Sequence, residues 1–185
     1  TQNIINVSSD ELLKAACCNI SESFETNPSI DVNYSNAVTG VKQVKMLGLE
    51  SPYLLITEEN IPMIRGASQV YGLSFIPGTW VESMQITKGS GSVVNGFESI
   101  SGQINVELKK PYSDTPFFVN VYSNNMGRNE LNIHGNKIIN DKLSTGLYLH
   151  SNKNTSINDK NNDGFLDNPT SNAFNIFNRW QYINT

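Results

Sequence analysis

The segment DKNNDGFLD, residues 159–167, carries oxygen ligands at the spacing of a calcium-binding loop. Gly164 stands at the sixth position, where glycine permits the sharp turn that wraps the ligands round one hard cation. Thr170 occupies the twelfth position, which usually holds a bidentate glutamate. The pattern predicts a Ca²⁺ site, and an Asx-rich hairpin turn without metal is the alternative. The predicted ligands are the side chains of Asp159, Asn161, Asp163 and Asp167 and the carbonyl of Phe165.

Cys17 and Cys18 are the two cysteines of the chain, and they are adjacent. Neighbouring cysteines cannot join distant segments, so a disulfide framework is excluded. As thiolates they could bind a soft metal such as copper, and a strained vicinal disulfide is a second alternative. We favour the interpretation that both are small hydrophobic residues of a helix.

The stretch PMIRGASQVYGLSFIPGTW, residues 62–80, combines aromatic residues and one arginine with glycines and prolines. Such a set suits contact with a substrate that bears carboxylates or rings. Packing of the same side chains against neighbouring parts of the protein is the alternative. The candidate substrate-binding residues are Arg65, Tyr71, Phe75 and Trp80.

The stretch VESMQITKGSGSVVNGFESISGQINVELKKP, residues 81–111, reads as a strand, a glycine-rich turn and a second strand. A phosphate-binding loop would need its glycines directly before a helix, with a Lys and a Ser or Thr. Here a strand follows the glycines, which argues against a nucleotide site. We predict no enzyme activity, because His134 and His150, the only histidines, are not combined with a nucleophile and an acid in a recognisable order.

Charge and hydropathy exclude two further classes. Thirteen basic and seventeen acidic residues give a net charge of -4, so no basic stripe is available for nucleic acid. No apolar run approaches the roughly 18 to 20 residues of a membrane-spanning helix, although transmembrane β-strands escape this test. The first residues lack the features of a signal peptide, as expected also for a chain that begins after its cleavage site.

The two halves of the chain differ in pattern. Ser8 and Glu11 form a capping box before the helical segment LLKAACC, and β-branched, apolar segments follow up to Leu108, which predicts an α+β fold that is mostly sheet. After residue 111, strands of about nine residues alternate with turns rich in Asn, Asp and Gly. In KLSTGLYLHSN, the leucines share one face, and Ser144, Gly146, Tyr148 and His150 share the other. This alternation is expected where one face meets lipid and the other a watery lumen, and the aromatic residues of FNIFNRWQYIN suit an interfacial girdle.

The end of the first half resembles the plug domain of TonB-dependent outer-membrane receptors, whose pattern we write as ERIEVLKGPxSxLYGxxAxGGVINIIT. VESMQITKG supplies the strand and first glycine, VVNG matches the LYG turn, and SGQINVEL matches GGVINIIT without a gap. Upstream, YLLITEENIPMIRG takes the place of vLvLIDGVPv, with Glu58, Glu59 and Asn60 instead of Asp-Gly. The region from Cys17 is similar to receptors of Bacteroidetes, and no TonB box is identifiable. The matched turn glycines are Gly89, Gly96 and Gly102.

The resemblance implies an α+β plug domain, a mixed sheet with short helices, over residues 1–111. Antiparallel strands of an incomplete outer-membrane β-barrel follow over residues 112–185, because plugged barrels have about 22 strands and this segment has room for three or four. The implied function is import across the Gram-negative outer membrane, with the plug gating the barrel and an iron-siderophore or other metal complex favoured as substrate.

The implied partners are TonB with its inner-membrane energising complex, the substrate, outer-membrane lipid and, as a further candidate, a surface lipoprotein. No cofactor is required beyond the Ca²⁺ of the candidate loop. The alternative function is that of a calcium-binding secreted β-module without a transport role.

Overall fold

The computed structural model of the chain describes residues 4–14, 19–24, 30–36, 41–91, 94, 96–167 and 169–184. The chain divides into two compact units, Thr1–Leu108 and Lys109–Thr185. Among the described residues, no helix combines the length and the apolar composition that a bilayer-spanning helix requires. The functional assignment of residues 1–111 and 112–185 to two different domains stays a prediction.

The first unit is built on a mixed five-stranded sheet with the order β1-β6-β7-β4-β5. Its strands are β1 (Ile4–Ser8), β4 (Leu54–Glu58), β5 (Ile61–Ile64), β6 (Val81–Lys88) and β7 (Gly102–Leu108). β4 and β7 pair in parallel, and the other neighbours are antiparallel. A separate two-stranded sheet consists of β2 (Asp31–Asn36) and β3 (Val41–Lys45). The helices are α1 (Ser9–Lys14), α2 (Ile20–Ser23) and the short 3-10 helices Ser51–Tyr53, Gly66–Val70, Gly72–Ser74 and Gly78–Trp80.

The core of this unit lies on the central strands. β4 reads LLITE and is buried over its first four residues, as expected of a strand covered on both faces. Burial of each large aliphatic side chain contributes roughly 1.5–3 kcal/mol, so these strands dominate the stability of the unit. The buried aliphatic and sulfur side chains of the sheet are Leu54, Leu55, Ile56, Val81, Met84, Ile86, Ile104, Val106 and Leu108.

The start of α1 has one of the two bonds of the predicted capping box, the bond between the glutamate carboxylate and the N-cap amide. The backbone amide of Ser8 donates to Glu11 Oε2 at 3.0 Å, and the Ser8 hydroxyl lies 3.4 Å from the same oxygen. The carboxylate thus satisfies an amide that the first turn of the helix leaves without a partner.

The second unit is a four-stranded antiparallel meander with the order β11-β10-β9-β8. Its strands are β8 (Phe117–Ser123), β9 (Arg128–Asn140), β10 (Leu143–Asn154) and β11 (Ser171–Tyr182). Asn residues close its turns: Asn140 Oδ1 accepts from the amides of Lys142 and Leu143, and Asn124 Oδ1 from those of Met126 and Arg128. The last three strands have 13, 12 and 12 residues, so they extend beyond the predicted lengths. The sheet does not close on itself, because β8 and β11 are both edges.

Each strand of the second unit alternates between an apolar face and a polar face, as predicted. The exposed apolar face includes Phe117, Val119, Val121, Leu131, Leu147, Phe174, Ile176, Trp180 and Tyr182. The opposite face includes the buried residues Glu130, Asn132, His134, Ser144, Tyr148 and His150. Phe177 departs from the predicted aromatic girdle because its odd position places it on the polar face, with its ring 5.6 Å from that of Tyr148. The fold class is therefore confirmed: a mixed-sheet α+β unit, then antiparallel strands of an incomplete barrel.

Candidate functional site

The glycine-rich loop between β6 and β7 folds back on itself at its base. Gly89 has φ of +87°, a conformation that a side chain disfavours, and its amide donates to the carbonyl of Ser101 at 2.8 Å. The amide of Gly91 donates to both the carbonyl and the hydroxyl of Ser99, at 3.1 and 3.0 Å. The loop is thus held by backbone bonds that continue the pairing of the two strands.

Two further glycines of this loop are required by close packing. A Cβ at Gly102 would lie 2.1 Å from the Met46 sulfur and 2.6 Å from the carbonyl oxygen of Thr87. A Cβ at Gly96 would lie 2.6 Å from Glu98 Oε2, 2.7 Å from Arg65 Nη2 and 3.0 Å from Leu55 Cδ1. Glycine is therefore needed at these two positions because other chain segments pack directly against their backbone.

Arg65 and Glu98 form an ion pair that joins two loops. The Nε atom of Arg65 lies 3.1 Å from Oε1 of Glu98, and the Nη2 atom lies 3.4 Å from Oε2. The Glu98 side chain is 10% exposed, whereas that of Arg65 is 47% exposed. The pair connects the segment that follows β5 to the β6–β7 loop. Displacement of the exposed guanidinium would therefore remove the partner of a nearly buried carboxylate.

The predicted substrate-binding residues fall into two groups. Tyr71, Phe75 and the Arg65 guanidinium are exposed on the segment between β5 and β6. Trp80 is only 7% exposed and ends the 3-10 helix that precedes β6, so it is a core residue in this structure. Its role in binding stays a prediction that would require the loop to open.

The sequence analysis missed two exposed apolar residues in the β6–β7 loop, which the Arg65–Glu98 pair connects to Arg65. Phe97 is 80% exposed, and Val94 is exposed as well. Both lie in the β6–β7 loop next to Gly96, whose Cα is close enough to Arg65 that an added Cβ would touch the guanidinium. The sequence did contain a sign that these residues are exposed: they are apolar residues in a glycine-rich turn, outside any strand pattern that would place them in a core.

Asn105 is a further residue whose role the sequence did not reveal. Its buried Oδ1 accepts from Thr57 Oγ1 and from the amide of Asn60, both at 2.8 Å. Glu59 and Asn60 have φ of 51° and 65°, so the β4–β5 turn is a two-residue hairpin turn of the type that usually contains Asn-Gly. The Asn105 side chain therefore holds a turn whose first residue, a glutamate, disfavours this conformation.

In the 159–167 loop, side-chain oxygens accept hydrogen bonds from backbone amides of the same loop. Asp159 accepts from the amides of Asp163 and Gly164 at 3.2 and 3.0 Å, and Asp163 Oδ1 accepts from that of Phe165 at 2.8 Å. Asn161 Oδ1 also accepts from the amide of Asp163, and Asp167 Oδ2 accepts from that of Lys160. Gly164 and Asn162 have positive φ, of 85° and 56°. The bonds of Asn161 and Asp163 to the amides two residues on are Asx turns, and those of Asp159 and Asp167 are longer side-chain to backbone bonds across the loop. Calcium binding stays a prediction that requires the carboxylates to face one centre.

Other candidate metal ligands give no further site. Within the described ranges, no group of three or more His, Cys, Asp or Glu side chains is arranged to hold a metal ion. Cys17 and Cys18 lie outside the described residues. His150 Nδ1 lies 2.7 Å from Asn132 Oδ1, and His134 lies on the same polar face, as predicted for wall residues.

Comparison with known proteins identifies the family. The family model of the TonB-dependent receptor plug domain matches residues 1–103, which include the loop glycines, the Arg65–Glu98 pair and the first two residues of β7, Gly102 and Gln103. The chain belongs to the TonB-dependent receptors. No curated protein sequence is significantly similar to it.

Solved structures of TonB-dependent siderophore receptors are similar in fold. The siderophore receptor PirA of Acinetobacter baumannii is 19% identical with a TM-score of 0.70, over 98% of this chain and 29% of PirA. P. aeruginosa FpvA, in complex with an iron-loaded pyoverdine, is 17% identical with a TM-score of 0.71, over 84% of this chain and 20% of FpvA. The ferric-catecholate import receptor Fiu of E. coli is 16% identical with a TM-score of 0.67, over 87% of this chain and 22% of Fiu. The chain thus spans between a fifth and a third of the length of these receptors.

Proposed function

We propose that the full-length protein is an outer-membrane transporter of a Gram-negative bacterium that imports a metal complex, with an iron-siderophore as the favoured substrate. The first unit is the plug, and β8–β11 are the first strands of the barrel that it gates. The observation that carries the proposal is the sequence of the two units, a plug-family fold followed directly by a sheet with one apolar and one polar face.

The apolar face of the second unit supports a membrane location. Phe117, Val121, Ile176 and Trp180 are all well exposed on it. A contiguous face of this kind is unfavourable in water, because soluble monomers rarely expose large apolar patches. Lipid is the solvent in which it would be stable. The same face argues against the alternative, a secreted calcium-binding module.

We infer the substrate class from five exposed residues, which we take together as one binding patch: Arg65, Tyr71 and Phe75 of the segment between β5 and β6, and Val94 and Phe97 of the β6–β7 loop, which the Arg65–Glu98 pair joins to that segment. Three aromatic rings and one half-exposed guanidinium suit a ligand with aromatic groups and negative charge. Siderophore complexes combine these features, and two of the structurally similar proteins, PirA and Fiu, are a siderophore receptor and a ferric-catecholate import receptor. The ion pair with Glu98 keeps the guanidinium in place before a ligand arrives.

TonB and its inner-membrane complex are the proposed source of energy, and a surface lipoprotein is a further candidate partner. Ca²⁺ binding by the 159–167 loop is a separate prediction, and a soft-metal role of Cys17 and Cys18 is the alternative to the structural role that we favour. Transport itself requires no bound cofactor and no enzymatic step.

The test is uptake of radioactive iron by cells that express the full-length receptor, supplied with ferric catecholate and ferric hydroxamate chelates in turn. We expect Phe75→Ala with Phe97→Ala to lower uptake of the preferred chelate at least tenfold. Ile61→Ala is the matched control, since Ile61 is equally exposed but lies at the end of β5 remote from Arg65. No uptake of either chelate by the parent receptor would contradict the proposed substrate class, and equal uptake by all three proteins would contradict the proposed patch.

A further inference from the structure

The segment that joins the two units, residues 109–116 and called the linker below, is fastened to the strands that follow it. The amides of Ser113 and Asp114 both donate to the carbonyl of Lys110 at 3.0 Å, which closes a tight turn. The amide of Asn136 on β9 donates to the Pro116 carbonyl at 2.8 Å, and its side-chain amide donates to the Thr115 carbonyl at 2.7 Å. The linker is therefore part of the second unit and not a flexible connection.

Asp114 is the centre of this attachment. Its side chain is 10% exposed and accepts from Asn136 Nδ2 at 2.9 Å through Oδ2 and from Lys109 Nζ at 3.4 Å through Oδ1. His134 Nε2 lies 3.0 Å from the same Oδ2. This last contact does not have the alignment of a hydrogen bond, since neither ring nitrogen of His134 has a hydrogen-bond partner within the described residues. A nearly buried carboxylate with a cation and an amide donor around it is a strong anchor, since its removal takes one acceptor from each of those groups.

The anchor rests on a row of rings that crosses all four strands. Phe118, His134, Tyr148 and Phe177 are opposite one another in register, with successive centroids 4.8, 4.9 and 5.6 Å apart. Lys109 Nζ lies 5.4 Å from the centroid of Phe118, at one end of the row. Such cross-strand pairs stabilise a sheet, so the linker is attached beside a set of pairs that holds all four strands together.

Gly146 leaves room for the linker on this polar face, and Gln181 attaches it to β11. A Cβ at Gly146 would lie 3.0 Å from Pro111 Cγ and 2.4 Å from Asn136 Oδ1, so only glycine fits beneath the linker here. The amide of Tyr112 lies 3.4 Å from Gln181 Oε1 on β11. The linker thus crosses the polar face from β11 to β9, above the space that Gly146 leaves on β10.

We propose that the linker is a clamped tether, which holds the C-terminal end of the plug to the barrel strands while the preceding plug residues are displaced during transport. The clamp begins at Lys109, directly after the last plug strand ends at Leu108. A displacement that starts within the first unit would therefore stop at the Asp114 anchor. The gating part of this inference rests on the proposed transport function, whereas the clamp itself does not.

The test uses the full-length receptor with three variants, Asp114→Asn, Asp114→Ala and Asp141→Asn. Asp141 lies exposed in the β9–β10 turn, so its variant makes the same charge change away from the linker. Hydrogen exchange at the Ser113 and Asn136 amides measures the clamp, and entry of a large glycopeptide antibiotic that the outer membrane normally excludes measures gating. We expect both Asp114 variants to exchange about tenfold faster or more, and to admit the antibiotic, while Asp141→Asn matches the parent.

Unchanged exchange in correctly folded Asp114→Asn and Asp114→Ala receptors would overturn the clamp. Faster exchange with no entry of the antibiotic would overturn the tether role and leave a structural anchor. Because exchange is measured without any substrate, a receptor that transports none of the tested chelates would contradict the proposed function alone. Lys109→Gln provides a second variant, with a smaller increase in exchange, should the Asp114 variants fail to fold.

Discussion

Replacement of Gly96 by valine is expected to destabilise the first unit by about 3 kcal/mol, the sum of two effects of comparable size. Backbone strain at φ of +153° contributes about 1 kcal/mol or more for a β-branched residue. The new Cβ would also lie 2.6 Å from Glu98 Oε2 and 2.7 Å from Arg65 Nη2, so the ion pair must open. Because the Glu98 side chain is 10% exposed, loss of its partner leaves a nearly buried carboxylate at a cost of about 1–3 kcal/mol. The half-exposed guanidinium adds little to this figure.

The assay is hydrogen exchange at the amides of Gly89, Gly91 and Ile100, which close the base of the β6–β7 loop. A loss of about 3 kcal/mol corresponds to exchange about 100-fold faster than in the parent receptor. Gly48→Val is the control, because Gly48 also has positive φ, of +77°, but no atom lies within 4 Å of its added Cβ. If Gly96→Val and Gly48→Val changed exchange equally, strain alone would account for the effect and the packing argument would be refuted.

Three further predictions concern the remaining sites. Asn105→Ala should speed hydrogen exchange of the Asn60 amide by roughly tenfold or more. The reason is that Thr57 and that amide lose a buried acceptor worth about 1–3 kcal/mol. Exchange no faster than in an Asn6→Ala control would contradict the role of Asn105. Calorimetry on the full-length receptor should show Ca²⁺ binding in the millimolar to sub-millimolar range typical of extracellular sites, about 10⁻⁴–10⁻³ M, that Asp163→Ala abolishes; equal heats in both proteins, or none in the parent, would leave only the Asx turns. Serine at both Cys17 and Cys18 should leave iron uptake intact, and selective loss of copper uptake with normal folding would instead indicate a soft-metal site.

Local patterns were sufficient to predict most of the strands. The alternation in β10 is a period-two signal that depends only on residues next to one another in sequence, and the structure places Leu147 and Tyr148 on the faces that it predicts. The capping box at Ser8 is local in the same sense. β5 is not among the predicted strands. It contains Pro62, which the sheet tolerates because β5 is an edge strand that pairs only with β4.

The residues that escaped prediction act through partners distant in sequence. Glu98 is 33 positions from Arg65, and Asn105 is 45 positions from Asn60, so no spacing rule could connect them. The composition of FNIFNRWQYIN suggests that Phe177 belongs to the aromatic girdle. Its odd position in β11, however, places it on the other face of the strand from Phe174 and Trp180. The glycines of the β6–β7 loop illustrate the difference between what sequence spacing shows and what tertiary contacts show. Their spacing indicated the family, but only the contacts of Gly96 with the Arg65–Glu98 pair explain why a glycine is required at that position.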